Sequence, residues 1–335
     1  MTDIRIGTRG SELALWQAHE VAKKLAGAGY ASTIVTVRTT GDKLEDVPLA
    51  AIGGKGLFVK ELEEALDRRE IDIAVHSLKD VPSIIPQRFV LASFLERADP
   101  RDVWIGRNAV PIAALRPGAV IGTSSPRRRA QLLPRFPHLV FEPVRGNIDT
   151  RINKVRDGVL DGIVLACAGL QRLGRLNEIT SYFAVDELVP AAGQGVIAIE
   201  TRADATVARD AAAKINHGQT ELRVRCERGV LQHFDEQIGC DSAIAVHAIV
   251  SSGVITIRAV AADRDGGNSV SVIQSGADPT RLASNVYGEL VEKGAMALVL
   301  AVAEPPHPPS APSPRAAGRR TLDGECPREA GVRGR

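Results

Sequence analysis

Lys79 and Asp80 stand side by side just after a short apolar run, in Ile71-Asp72-Ile73-Ala74-Val75-His76-Ser77-Leu78-Lys79-Asp80-Val81-Pro82. The first half, with Ile and Val alternating around small residues, reads as a short buried strand over Ile71–Val75. Pro82 prevents its continuation. A polar loop therefore delivers a cation and a carboxylate to one edge of a sheet. In open α/β sheets, ligands bind in the crevice beyond the carboxyl ends of strands. A carboxylate there can act as general acid or base, or balance a cation forming in a substrate.

Arginines recur at equivalent places. Arg9 follows the first strand pattern, beside Ser11; Arg127 and Arg128 follow the run ending at Thr123; Arg145 follows the run ending at Val144; Arg172 follows the run ending at Ala166. The strand-edge rule gathers these groups near one cleft. Ser124 and Ser125 add hydroxyls and a helix start, which together suit an anion. The implied ligand is a polyanion, and carboxylates or phosphates fit it about equally. Gly53-Gly54-Lys55-Gly56 is not a phosphate loop, because the G-x-x-x-x-G-K-[ST] spacing is absent and Leu57 follows Gly56. A flexible lid with one lysine fits better. His76 and His247 read as structural, hydrogen-bonded histidines.

Composition sets the bounds. The 335 residues suffice for two or three domains with well-buried cores. No run of about 18 apolar residues exists, so no membrane span is expected. The N-terminus enters a strand pattern directly and lacks a secretory h-region, so a cytoplasmic protein is expected. Cys167, Cys226, Cys240 and Cys326 are widely spaced and form no C-x-x-C pair, which argues against zinc, thioredoxin-type chemistry and disulfides. No metal site is expected, and Cys167 reads as a small core residue. Of 42 basic and 40 acidic residues, six and four lie from Glu304 onward, leaving the body neutral at 36 each. That argues against a nucleic-acid footprint. Arg outnumbers Lys by 33 to 9; a GC-rich genome would explain this, and so would a site for planar carboxylates.

The elements that must position these residues alternate. Strand Ile4–Thr8 is followed by a helix capped by Ser11, with Leu15, Ala18, Val21, Ala22 and Leu25 on its apolar face and an end at Gly27 or Gly29. Strand Thr33–Val37, helix Val59–Arg68 and strand Ile71–Val75 complete a βαβ rhythm that predicts a largely parallel sheet. Asp99-Pro100-Arg101-Asp102 marks a crossover. A second α/β unit follows: strand 119–123, a helix from about Arg127, strand 139–144, helix 148–157 and strand 162–166. Two similar lobes with a crossover suggest a periplasmic-binding-protein-like layout. A third unit has helix 220–234, strand-like runs at 243–250, 254–260 and 269–274, helix 279–292 and an apolar run near Leu298. This suits a small antiparallel sheet covered by helices. The last 32 residues hold seven Pro and four Gly and are expected to be disordered, with Cys326 incidental.

Eight stretches in order carry a family resemblance. His76-Ser77-Leu78-Lys79-Asp80-Val81-Pro82 resembles the signature of the porphobilinogen deaminase (hydroxymethylbilane synthase) family. So do Ile6-Gly7-Thr8-Arg9-Gly10-Ser11 with Leu13–Ala18, the Gly53–Phe58 loop, Thr123–Arg128, Arg145-Gly146-Asn147, Ala168–Gly174, Ala192-Gly193-Gln194-Gly195 and, last, Gly239-Cys240. The resemblance spans roughly residues 4 to 300.

What the resemblance implies is specific. The fold would be α/β with three domains: two periplasmic-binding-protein-like lobes and a small α+β domain with a three-stranded antiparallel sheet. The first lobe would comprise residues 1–97 and 196–216, the second 98–195, and the cofactor-tethering domain 217–303, with 304–335 as tail. Asp80 would handle the proton of the leaving ammonia and stabilise an azafulvene-like pyrrole cation. Cys240 would carry a dipyrromethane cofactor through a thioether, as a tether and not as a nucleophile in each turnover. Lys79, Ser125, Arg127, Arg128 and Arg145 would hold the cofactor. Arg9, Ser11, Arg151, Arg172 and, more weakly, Lys55 would hold porphobilinogen. Residues 42–56 would cover the mouth of the site. The protein would be a cytoplasmic monomer in tetrapyrrole biosynthesis, with no nucleic-acid or membrane partner.

The chain departs from the family pattern in places. Family members usually show Gly-Gly-Cys or Gly-Asn-Cys and a Pro three residues on, where this chain has Ile238 and Ala243. Thr40 stands where an Arg is common, and Pro126 replaces a frequent Leu at a helical first turn that accepts it. Two rivals remain on the sequence alone. A two-lobed binding protein would capture an anion without chemistry, but leaves Cys240 and the third unit without purpose. A nucleic-acid binder using Arg127-Arg128-Arg129 is opposed by the neutral body and by 4% aromatic content.

Overall fold

The computed structural model describes residues 3–38, 59–235, 242–264 and 266–300. The glycine loop with Lys55, the Cys240 loop and the Pro-rich tail with Cys326 lie outside the described residues.

The chain opens with β1 (Ile4–Thr8), α1 (Glu12–Gly27) and β2 (Ser32–Thr36). Ser11 caps α1, its Oγ accepting the Ala14 N–H at 3.3 Å, so one orphan donor of the first turn is satisfied. Ala18, Val21 and Leu25 form one stripe of α1 and pack against Ile4, Ile6, Ile73 and Val75. α2 (Lys60–Asp67) buries Leu62, Ala65 and Leu66. β3 (Ile73–Ser77) begins two residues later than the apolar run and extends two further, because His76 and Ser77 pair with a neighbouring strand. β4 (Phe89–Phe94) follows.

The chain then crosses into a second sheet. It contains β5 (Asp102–Gly106), β6 (Val120–Gly122), α3 (Pro126–Leu132), β7 (Val140–Glu142), α4 (Ile148–Arg156), β8 (Gly162–Ala166), α5 (Cys167–Arg172) and β9 (Ser181–Tyr182). It returns through β10 (Ile197–Arg202) and α6 (Thr206–Lys214) to the first sheet.

The two five-stranded sheets repeat one plan. Their orders are β2-β1-β3-β10-β4 and β7-β6-β8-β5-β9. In each, four strands share one direction, and the fourth in the order, which enters from the other sheet, runs antiparallel to both its neighbours. The sheets are thus largely parallel, as expected, with one antiparallel strand in each. Each crossover strand enters from the opposite end, and periodicity carries no information about direction.

The third unit starts with α7 (Gly218–Asp235) and continues through β11 (Ala243–Ser251), β12 (Val254–Ala262), β13 (Ser269–Gly276), α8 (Pro279–Glu292) and α9 (Ala295–Leu300). β11-β12-β13 form an antiparallel sheet. α7 has two working faces. Cys226, Val230 and Phe234, four residues apart, pack on that sheet. Val224 packs instead with Leu78, Val81, Phe94 and Val196 of the first lobe.

One buried acidic group lies within the first lobe. His76 Nε2 lies 2.9 Å from Glu200 Oε2, and both residues are buried. The structural reading of His76 therefore agrees with its place. Burial and the charge of Glu200 push the neighbouring Glu63 carboxyl up to about 7, partly opposed by His76 and Arg88. A folded-state pKa above the unfolded value of about 4.5 removes stability as pH rises between the two. Glu63→Gln should therefore melt higher than the parent at pH 8, and the difference should shrink as pH falls and vanish below about pH 4. A difference independent of pH in thermal scans would contradict this.

Candidate active site

The densest polar cluster is built on a residue that sequence reasoning passed over. Asp102 is fully buried at the start of β5. Arg127 Nη1 donates to its Oδ2 at 2.8 Å, and Arg128 donates to its Oδ1 from Nε at 3.0 Å and Nη2 at 2.7 Å. Gln194 Nε2 donates to Oδ1 at 3.0 Å and to the Pro100 carbonyl at 2.7 Å. Burial alone would raise the Asp102 pKa; the two guanidinium charges and their hydrogen bonds outweigh it and hold the carboxyl at about 2. Arg127 Nη1 also donates to the Val189 carbonyl at 2.7 Å and Arg128 Nη1 to that of Val164 at 3.0 Å. Both arginines, expected to meet a ligand, are thus buried, already paired and with part of their five N–H donors committed.

Asp102 lies at this edge because β5 is antiparallel. It pairs in register with Ala166, the last residue of β8. In the first lobe Ile197 of β10 likewise pairs with Ser77, at the end of β3. Both crossovers therefore meet strand ends that lead into expected site residues.

Lys79 and Asp80 form a single 3-10 turn with Leu78 directly after β3. Leu78 is buried, while Lys79 and Asp80 keep open surface. Protein around Lys79 lowers its pKa, against the attraction of Asp80 and Asp102 and together with repulsion from Arg128 and Arg127. Arg151, on α4, is also lowered, first by burial and then by Arg128 and Arg145, with Asp80 opposing. These mutual fields bring Lys79, Asp80, Asp102, Arg127, Arg128, Arg145 and Arg151 into one neighbourhood. Five cations there face two carboxylates, and of the two only Asp80 is open. Asn147 caps α4 by accepting the Thr150 N–H at 2.9 Å, and Arg151 Nε donates to the Gly146 carbonyl at 2.7 Å.

The remaining expected site residues lie around this core. Ser125 Oγ accepts the Arg128 N–H at 3.4 Å as the cap of α3, and Ser11 caps α1; each hydroxyl keeps its hydrogen for another acceptor. Arg9 is half-buried between β1 and α1. Arg172, on α5, donates from Nη2 to the Gly195 carbonyl at 2.8 Å and lies over Trp16, 5.9 Å from the ring centroid. Burial pushes its pKa down to about 10. Lys55 and Cys240 lie outside the described residues. The buried thiols of Cys167 and Cys226 are pushed up by burial to about 11 and about 12, which suits inert core cysteines.

A second buried carboxylate clamps the third unit onto the crossovers. Glu227 of α7 accepts from Arg97 Nη1 at 2.7 Å and Nη2 at 2.6 Å, from the Gly193 N–H at 2.8 Å and from the Ala248 N–H at 2.7 Å. Burial would raise its pKa, but Arg97, His247 and the Gly193 N–H hold it low. His247 is lowered mainly by burial, against the attraction of Glu227. The next residue, Arg228, donates to the carbonyls of Val81, Pro82 and Ser83 at 3.2, 2.6 and 2.9 Å. α7 thereby holds the loop that follows Asp80. Gly195 has φ +84°, and a Cβ there would lie 2.7 Å from the Ala98 carbonyl oxygen, so the return crossover requires glycine.

The sheets and this cluster define a two-lobed α/β protein with a cationic cluster around one open carboxylate. The model of the family described as porphobilinogen deaminase, dipyromethane cofactor binding domain, matches residues 4–210. The chain is 48% identical over 275 residues to the porphobilinogen deaminase of Geobacter metallireducens, covering 82% of this chain and 86% of that one. It is 41% identical over 307 residues to that of Desulfitobacterium hafniense, covering 91% and 99%. The chain belongs to the porphobilinogen deaminase family. Solved structures similar to it include the periplasmic VFT2 domain of Bordetella pertussis BvgS, at TM-score 0.38 and 16% identity over 64% of this chain and 86% of that one. Another is a periplasmic substrate-binding protein of an ABC transporter from Coxiella burnetii, at TM-score 0.40 and 14% identity over 63% and 91%.

Removing the charge of Glu227 leaves Arg97 buried without its counter-ion. Glu227→Gln should lose about 3–5 kcal/mol of stability, read as a lower denaturant midpoint. A midpoint equal to the parent's would contradict the clamp.

Proposed function

We propose that this chain joins four porphobilinogen molecules head to tail, releasing ammonia at each addition, to give hydroxymethylbilane for tetrapyrrole (haem, chlorophyll, corrin) biosynthesis. The observation that carries the reading is the pairing of an open carboxylate, Asp80, with a surrounding excess of cations. Porphobilinogen and its oligomers bear acetate and propionate groups, so a cleft with five cations and two carboxylates matches their charge. A dipyrromethane bound through a thioether to Cys240 supplies the free pyrrole end on which the chain grows. Its carboxylates match the same donor set: Lys79, Ser125, Arg127, Arg128 and Arg145. Arg9, Ser11, Arg151 and Arg172, with Lys55, would meet the carboxylates of the incoming substrate.

Asp80 is assigned the chemistry by elimination within the cluster. Asp102 is buried and its oxygens are filled by four donors. Asp80 can pass a proton to the departing amine and then face the positive charge left on the pyrrole. Lys79 beside it keeps a counter-charge close, and Arg228 fixes the loop behind it. The three sheets support a division into a first lobe of residues 1–97 and 196–216, a second of 98–195 and a third unit of 217–303. Charge balance over residues 1–303 supports the absence of a nucleic-acid partner. Among the described residues no helix is long and apolar enough to cross a membrane. The same reading makes the protein a cytoplasmic monomer.

Intact mass tests the tether and the polymerisation together. The purified protein should exceed its sequence mass by two pyrrole units, climb in single-unit steps on brief exposure to porphobilinogen, and lose both features in Cys240→Ala. A bare mass with no steps, persisting after incubation with the tetrapyrrole product, would contradict the reading and favour a binding protein without chemistry. Asp80→Asn should keep the two-unit excess and lose about 10²–10⁴-fold in turnover. Normal turnover in that variant would remove Asp80 from the mechanism.

A further inference from the structure

The chain has two tryptophans, Trp16 and Trp104, and they are placed oppositely. Trp104 is fully buried and donates its Nε1–H to the Val110 carbonyl at 2.9 Å. Trp16 keeps 39% of its surface open. An exposed indole alone needs no explanation, but its neighbours give this one a place. The next residue, Gln17, donates from Nε2 to Ser77 Oγ at 2.7 Å, so this part of α1 lies against the end of the strand that leads to Lys79 and Asp80. One turn earlier Leu13 faces Gly169 of α5, where a Cβ would lie 3.8 Å from Leu13 Cδ2. Trp16 therefore stands where the first lobe meets α5 of the second, beside the cleft.

Arg172 occupies the same junction. Two features locate its guanidinium: the Trp16 ring, 5.9 Å from Cζ to the centroid, and the Gly195 carbonyl, 2.8 Å from Nη2. A guanidinium over an aromatic face is attracted by the ring quadrupole at up to about 6 Å. It carries five N–H donors in a rigid fork, and the Gly195 bond uses one. Burial lowers the Arg172 pKa, so the protein solvates this cation poorly and a carboxylate at its open side would stabilise it.

We propose that Trp16 is a positioning residue for substrate binding: its indole face and the Gly195 carbonyl hold the Arg172 guanidinium so that the remaining N–H groups meet a carboxylate of the pyrrole substrate. Trp16 acts through Arg172 and touches none of the reacting atoms. The proposal rests on the reading that Arg172 binds a substrate carboxylate, and the test separates the two.

Initial-rate kinetics with porphobilinogen would be measured for the parent, Trp16→Ala, Trp16→Phe, Arg172→Gln and the Trp16→Ala/Arg172→Gln double variant, each checked by thermal unfolding. Trp16→Ala should raise KM about two- to fivefold with kcat nearly unchanged, the range expected for loss of an exposed cation–π contact. Trp16→Phe keeps a ring face and should stay near the parent. The double variant should be no worse than Arg172→Gln alone, because the two residues act as one unit. A parental KM in Trp16→Ala, an equal rise in Trp16→Phe, or additive effects in the double variant would each overturn the positioning role. A parental KM in Arg172→Gln would instead overturn the reading of Arg172 beneath it. A general loss of folding in Trp16→Ala would appear as a lowered melting temperature with kcat and KM both disturbed, and would also overturn the proposal.

Discussion

Two fully buried carboxylates, Asp102 and Glu227, hold together the places where the chain passes between lobes. A buried charge is tolerated only when paired and hydrogen-bonded, and each carboxylate meets that condition with arginine and neutral N–H donors. Asp102 draws Arg127 and Arg128 of α3 and Gln194 of the return crossover onto the start of β5. Glu227 draws Arg97 of the outgoing crossover, Gly193 of the return crossover and Ala248 of the third unit onto α7. The loop bearing Lys79 and Asp80 is then fixed from behind by Arg228, the residue after Glu227. The open Lys79 and Asp80, to which the proposed function assigns the chemistry, are thus surrounded by closed pairs that hold their loop in place.

The charge arithmetic of the cleft follows from the same pairing. Two adjacent buried arginines repel each other, and a single carboxylate between them removes part of that repulsion while leaving a net positive charge. On the proposed function, that residual charge is what a carboxylate-bearing substrate would meet. Replacing Asp102 by an apolar residue would leave the arginines unpaired, and a second carboxylate would neutralise the site. One buried Asp lies between those outcomes.

Much of this was legible in the sequence. Period-two and period-3.6 patterns located β1, α1, β8, α7 and α8 to within a residue or two, because each buries one clear face. The strand-end rule pointed to Asp80, Arg127, Arg128, Arg145 and Arg172 for a physical reason: parallel strands all end at one edge. The same rule missed Asp102, which opens a strand and reaches that edge only because β5 runs antiparallel. The visible signal was an acid in front of the apolar stretch Val103-Trp104-Ile105, where an unpaired charge would be costly. Glu227 was hidden differently. It reads as one more polar residue of an amphipathic helix, and its partner Arg97 is 130 residues away. Direction and long-range pairing belong to the packed chain, and no local pattern encodes them. Family resemblance, not local pattern, pointed to Cys240.

The most direct test of this account is the Asp102→Asn variant, which keeps the side chain's shape and removes its charge. Its urea unfolding midpoint and its rate of pyrrole addition would be measured on one preparation. The account predicts a loss of about 3–5 kcal/mol in stability, together with slowed chain growth, because Arg127 and Arg128 would then share a buried site without a counter-ion. Parental stability with parental chain growth would contradict it, and would mean that the arginine pair holds its geometry without the carboxylate.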